Sequence, residues 1–294
     1  MTEPNVHQSV LKSKKQKTLR QSVYHSGIGV FTGEEVSIRL SPAPLDAGIV
    51  FQRIDLPNHP QLPAKLEFVQ GTPRCTLIGN ASGVSVQTVE HILAAFNACG
   101  IDNVIIEISG SEVPIFDGSS LSFIAMIEEA GVAEQEGERE IVRLSKPVYW
   151  SQGDIHLVAL PSDDYRISYT LHYPNSSAIG TQFFSTLVDQ KLFIDEIAPC
   201  RTFSVYEEIA PMIEKGLVKG SLENAVIIKE NAVLNPGGLR FSNEMVRHKV
   251  LDLIGDLSLI PVLFTAHIIA IRSGHASNNA FAKELFNQIK MECS

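Results

Sequence analysis

Met245-Val-Arg-His-Lys-Val-Leu-Asp-Leu-Ile-Gly-Asp256 sets His248, Asp252 and Asp256 four residues apart. On an α-helix, residues i and i+4 share a face with Cβ atoms about 5–6 Å apart, so an imidazole nitrogen and a carboxylate oxygen can converge on one ion. Val246, Val250, Leu253, Ile254 and Leu257 recur on the opposite face, at the spacing of a helix packed on a core. The His/Asp stripe is therefore expected to look out of that core. The same spacing also suits a solvated ion pair, so the stretch alone offers a metal site without requiring one.

With 294 residues, 44% hydrophobic and 19% charged, the chain can form two ordinary domains with sizeable cores. A formal net charge of −9 argues against a nucleic-acid partner, because phosphate binding needs clustered Lys and Arg. The one basic run, Lys12-Ser-Lys-Lys-Gln-Lys17, reads as part of a flexible N-terminal tail over residues 1–17, and no apolar segment follows it as a signal peptide requires. The longest apolar stretch, residues 259–271, is broken by Pro261 and His267 and is too short to cross a bilayer. A soluble, cytoplasmic monomer is expected. Cys75, Cys99, Cys200 and Cys293 lack Cys-x-x-Cys spacing, which points to reduced thiols and leaves any metal to His and carboxylate.

Along the chain, residues 18–40 read as strands joined by the Gly-rich turn Ser26-Gly-Ile-Gly-Val-Phe-Thr-Gly33. No helix follows that turn at once, as a phosphate cradle would need. Short strands are expected near residues 49–52 and 66–69. Ser85 is a candidate N-cap for a helix that carries Glu90 and His91, buries Val89, Leu93 and Phe96, and stops at Gly100. A strand (residues 101–108), the cap Asp117-Gly-Ser-Ser120 and a helix to Ala130 follow. The polar stretch 131–139 reads as a linker. The plan then repeats: strands over residues 141–171, the His248 helix, a strand, the cap Gly274-His-Ala-Ser277 and a last helix. This predicts an α+β chain of two similar sandwich domains, residues 18–135 and 136–294, with a cleft between them suited to a ligand. Only the second half has an extra piece, about residues 204–234, with a helix (206–215) and a strand (225–229).

Catalytic zinc keeps three protein ligands and leaves its fourth position to water. His91, His248 and Asp252 are the candidates. Glu90 beside a ligand suits a general base, His275 is a further titratable group, and Asp256 could fix the tautomer of a nearby imidazole. Glu90 could equally be a first-turn helix charge and Asp256 a solvated carboxylate.

Thr88-Val-Glu-His91, Pro114-Ile-Phe-Asp-Gly118, Arg201-Thr-Phe203, the 247–256 stretch and Ser273-Gly-His-Ala-Ser-Asn-Asn279 together resemble the UDP-3-O-acyl-N-acetylglucosamine deacetylases of lipid A synthesis, in order from Thr18 to the C-terminus. The resemblance implies a zinc hydrolase, with ferrous iron as the alternative metal, that removes acetate from an acylated UDP-sugar. It implies His91, His248 and Asp252 as ligands, Glu90 as general base, His275 as acid and charge stabiliser with Asp256 as its partner, Lys249 and Thr202 as catalytic residues in contact with substrate or the developing oxyanion, and Phe203 in contact with substrate. It further implies that the second-half insert forms an acyl-chain passage lined by Leu217, Leu222, Ala225 and Ile227. Phe31 stands where the family commonly has His. Whether His275 or Glu90 protonates the leaving amine stays open, as do two competing readings: a related amidohydrolase of another substrate, and a non-catalytic binding protein.

Overall fold

The computed structural model describes residues 10–71, 74–216 and 223–293. The first half runs β1 (Val10–Leu19), β2 (Val23–Ile28), β3 (Glu35–Pro42), β4 (Ile49–Arg53), β5 (Gln61–Pro63), β6 (Leu77–Gly79), β7 (Ser85–Gln87), α1 (Glu90–Cys99), β8 (Val104–Ile108) and α2 (Leu121–Ala130). The second runs β9 (Val132–Arg143), β10 (Val148–Gln152), β11 (Ile155–Leu160), β12 (Arg166–Tyr173), β13 (Gly180–Leu187), the single turn α3 (Gln190–Leu192), β14 (Phe203–Val205), α4 (Tyr206–Glu214), β15 (Val226–Lys229), β16 (Ala232–Val233), α5 (Glu244–Leu257), β17 (Leu263–Thr265), β18 (His267–Ile271) and α6 (His275–Cys293).

Two five-stranded sheets share one plan, β2-β3-β8-β4-β5 and β10-β11-β18-β12-β13. In each, the third strand pairs antiparallel with the second and parallel with the fourth. A parallel pair needs a long crossover, and in each half that crossover contains the helix bearing site residues, α1 or α5. Alternation does the local work: β3 buries Val36, Ile38 and Leu40, and β8 buries Val104, Ile106 and Ile108, one sheet face on a core. α1 stops where Gly100 turns left-handed at φ 67°.

Helices lie between the sheets. α1 packs on α2 and α5, α5 on β12 and β13, and α6 on α5, β10 and β11, so both halves feed one continuous core. At the α1/α5 crossing a Cβ on Gly255 would lie 2.0 Å from the Glu90 carbonyl oxygen. Only glycine permits that approach. It turns the polar stripe of α5 against α1, and His248, Asp252 and Asp256 are as buried as the apolar face, where the sequence predicted that they look away from the core.

Other expectations also give way to long-range pairing. The basic run belongs to β1, which pairs antiparallel with β9, setting Lys15 opposite Glu138 and Lys17 opposite Glu134. Residues 10–17 of the expected tail are strand, as are residues 132–139 of the expected linker, and residues 1–9 lie outside the described residues. Each segment looks loop-like alone because its partner is over 100 residues away. β9 runs unbroken through residues 135 and 136, and β17 adds to it in parallel, so these strands join the two halves. Residues 66–68 form a 3-10 turn and not a strand. Ser85 does not cap α1, because Ser85–Gln87 pairs with Leu77–Gly79 as a strand and delays the helix to Glu90.

Candidate metal centre

Three helices converge on the site. Glu90 and His91 open α1, His248, Asp252 and Asp256 lie along successive turns of α5, and His275 opens α6. Glu90, His91, Asp252 and His275 line a cavity of about 880 Å³ that extends along β14, α4 and β15.

His248 Nε2 and Asp252 Oδ1 lie 3.1 Å apart and His91 Nε2 lies 3.8 Å from the same oxygen, and ligand atoms of the three residues fall within 4.8 Å of one another. Bonds of about 2.0–2.1 Å give a tetrahedral edge of roughly 3.3 Å, so the spacing suits a shared ion. His248 Nδ1–H donates to the Cys200 carbonyl at 3.0 Å, which fixes the ring with Nε2 toward Asp252. Burial holds His91 down to about 3, helped by His248, so its imidazole is neutral, as a metal ligand would need, and its contact with Asp252 is not an ion pair. Burial would raise Asp252, but His248, Lys249 and His275 outweigh it and keep the carboxylate ionised, well below the usual range. His91 Nδ1, His248 Nε2 and Asp252 Oδ1 are buried without a hydrogen-bond partner. Such orphans cost about 1–3 kcal/mol each, and a bound cation removes that cost where it coordinates them. The two-His, one-carboxylate set fits catalytic zinc, and ferrous iron as well.

Beside this candidate ligand set Glu90 and His275 face each other, Oε1 to Nε2 at 3.7 Å. Burial raises Glu90 to about 7. Burial alone would lower His275, but the charges of Asp256, Glu90 and Asp252 lift it to about 9. His275 Nδ1–H donates to Asp256 Oδ2 at 3.0 Å, which presents Nε2 to the cavity. Thr76 ties the two together: its hydroxyl donates to Asp256 Oδ1 and its N–H to Glu90 Oε2 at 3.0 Å. Asn278 donates to Asp256 at 2.8 Å and Asn279 to the Thr76 hydroxyl at 3.3 Å. The sequence reading gave none of these three a role. Thr76 lies outside any periodic segment, and no local signal marks it.

Lys249 Nζ donates to Asp252 Oδ2 at 2.8 Å and sits 5.5 Å over the Phe203 ring. Thr202 is held by backbone bonds, N–H to Gly118 at 2.7 Å and carbonyl from Val226 at 2.7 Å. Thr202, Phe203, Lys249, Ala225 and Ile227 all line the cavity, with Tyr206, Ile209 and Ile213 of α4. Leu217 and Leu222 lie outside the described residues. Cys75, Cys99 and Cys200 are free and buried, and burial holds the Cys75 thiol, beside Glu90, up at about 12. Among the described residues no helix is long and apolar enough to cross a membrane.

A family model described as LpxC: UDP-3-O-acyl N-acetylglycosamine deacetylase matches residues 16–287. The chain is 48% identical over 278 residues to UDP-3-O-acyl-N-acetylglucosamine deacetylase of Chlamydia pneumoniae, covering 94% of this chain and 98% of that protein. It is 48% identical to the deacetylase of Chlamydia muridarum, covering 94% and 96%, and 46% identical to that of Chlamydia caviae, covering 94% and 98%. With the match running through both sheets and every helix that meets at the buried His and Asp cluster, this chain belongs to the UDP-3-O-acyl N-acetylglycosamine deacetylase family.

Proposed function

We propose that the chain hydrolyses the N-acetyl group of UDP-3-O-acyl-N-acetylglucosamine in lipid A synthesis, in the cytoplasm, with zinc held by His91, His248 and Asp252. The observation that carries the metal reading is the convergence of ligand atoms of those three residues within 4.8 Å of one another, with His248 Nε2 and Asp252 Oδ1 buried and unpartnered. Zinc bound there supplies an acidified water and polarises the amide carbonyl.

The protein's own residues do the rest. Thr76 fixes Glu90 Oε2 and leaves Oε1 toward the cavity, where the carboxylate takes a proton from water as general base. His275, pinned at Nδ1 by Asp256, holds a proton on Nε2. From there it donates to the developing oxyanion or to the departing nitrogen, which is a poor leaving group until protonated. Thr202 and Lys249 line the same cavity, and on this reading their hydroxyl and ammonium contact substrate. The acyl chain lies along Tyr206, Ile209, Ala225 and Ile227, the apolar arm of the cavity.

Acetate release from the acylated UDP-sugar tests the reading. Purified protein with about one zinc per chain releases acetate, loses activity to a chelator and regains it with added zinc. Failure to release acetate while zinc is bound would overturn the substrate, and full activity in metal-free protein would overturn the metal.

A further inference from the structure

The first Gly-rich turn presents backbone N–H groups, and they have an internal acceptor. Glu112 is fully buried. Its Oε1 accepts from the Phe31 N–H at 3.0 Å and the Thr88 hydroxyl at 3.2 Å, and its Oε2 accepts from the Thr32 N–H at 2.8 Å. A Cβ on Gly29 would lie 2.4 Å from Glu112 Oε2, so the turn wraps the carboxylate closely. Val30, Phe31 and Thr88 all line the cavity that holds Glu90 and His91.

Thr88 has φ 60°, a left-handed backbone that a β-branched residue rarely adopts. It stands between the end of β7 and the start of α1. On the β7 side the chain is fixed, because Gln87 N–H donates to the Ser111 carbonyl at 2.9 Å and Val113 N–H to the Gln87 carbonyl at 3.0 Å. Two residues after Thr88 comes Glu90, then His91. Any relaxation of Thr88 toward an ordinary φ would swing the first turn of α1 against a fixed strand.

We propose that Glu112 is a positioning residue: its buried carboxylate holds Thr88 left-handed, so aiming Glu90 and His91, and anchors the Val30–Phe31 wall of the cavity to the same point. This rests on the roles given above to Glu90 and His91.

Two substitutions at Thr88 separate this role from ordinary packing. Thr88→Val keeps the shape and the β-branched penalty for positive φ but loses the hydroxyl that Glu112 grips. Thr88→Gly loses the hydroxyl too, yet adopts positive φ without help. Valine is normally the milder change, and here the order inverts. Thr88→Val lowers kcat of the zinc-loaded protein about tenfold or more, since small misplacements cost that much, while Thr88→Gly loses less. Zinc affinity, from competition with a chelator, follows the same order, and the melting temperature checks folding. Glu112→Gln lowers kcat as Thr88→Val does, and its loss shrinks in the Thr88→Gly background. Thr88→Gly being less active than Thr88→Val, or an undiminished Glu112→Gln loss in the glycine background, overturns the inference. If Glu112→Gln does not fold, the valine and glycine pair decides alone. Wild-type protein that binds no zinc would sink the reading of His91 instead, and the valine-before-glycine order is then read from amide-exchange protection in the first turn of α1.

Discussion

The two halves share a strand order but contribute unequally to the site. The first half supplies Glu90 and His91, adjacent at the start of α1, whose remaining buried residues, including Ile92, Leu93, Ala94, Ala95 and Phe96, are apolar. The second supplies His248, Lys249, Asp252 and Asp256 along the length of α5, His275 from α6, and the insert that extends the cavity. Residues one apart on a helix point about 100° apart, so Glu90 and His91 can serve different atoms. Residues four apart converge, so α5 can put two ligands on one ion. On the reading above, one scaffold used twice thus yields a half that brings the base with one ligand and a half that brings the other two ligands and the acyl-chain passage.

The sharpest test of that division removes one ligand from each side. His91→Ala in the first half, and His248→Ala or Asp252→Ala in the second, are expected to abolish both metal content and turnover, because three protein ligands leave no spare. A first-half variant that kept full zinc by metal analysis would confine the metal to the second half. Next in size, Glu90→Gln keeps its zinc and its shape but accepts no proton, so kcat falls by about 10²–10⁴. Near-normal single-turnover rates in zinc-replete Glu90→Gln would leave the first half with a ligand and no chemistry.

Smaller still is the contribution of the insert. Each acyl methylene buried contributes about 0.8 kcal/mol, roughly fourfold in kcat/KM, so shortening the chain by several carbons costs tens- to hundreds-fold. Ile227→Arg should reproduce that loss on the long-chain substrate and spare a short-chain one, measured as the ratio of their kcat/KM values. Equal losses on both would make the insert ordinary packing. The gentlest probe is pH. Burial raises Glu90 to about 7, so its base form appears as pH rises through that value, and His275, lifted to about 9 by its carboxylate neighbours, loses its acid form above it. The profile of kcat/KM is expected to be a bell, and a bound dication, which favours the deprotonated forms, moves both limbs downward. An alkaline limb unmoved in His275→Ala would assign that limb to another group.

Much of this was legible in the residues. The four-residue spacing in α5, the glycine that ends α1, the alternation in β3 and β8, and the repeated order of elements each rest on contacts within a few residues, so local periodicity carries them. The Glu90, His91, His248, Asp252 and His275 set was readable because metal and acid–base chemistry needs those residue types. Thr76 was not, since a threonine in irregular chain has no pattern of its own and its role lies wholly in its partners, 14 and 180 residues away.

What the sequence determined by itself, then, was the α+β class, the duplicated plan and the candidate side chains that the fold brings together, because helix and strand periods and ligand chemistry are local properties of the chain. The tertiary structure alone decided that a lysine-rich run and a glutamate-rich run, which look like tail and linker, are paired strands. It alone decided that the polar stripe of α5 turns inward onto α1 across a glycine with no room for a Cβ. Both follow from one physical fact: opposite charges across a ladder and two backbones in contact depend on residues far apart in the chain, and neither partner carries a sign of the other.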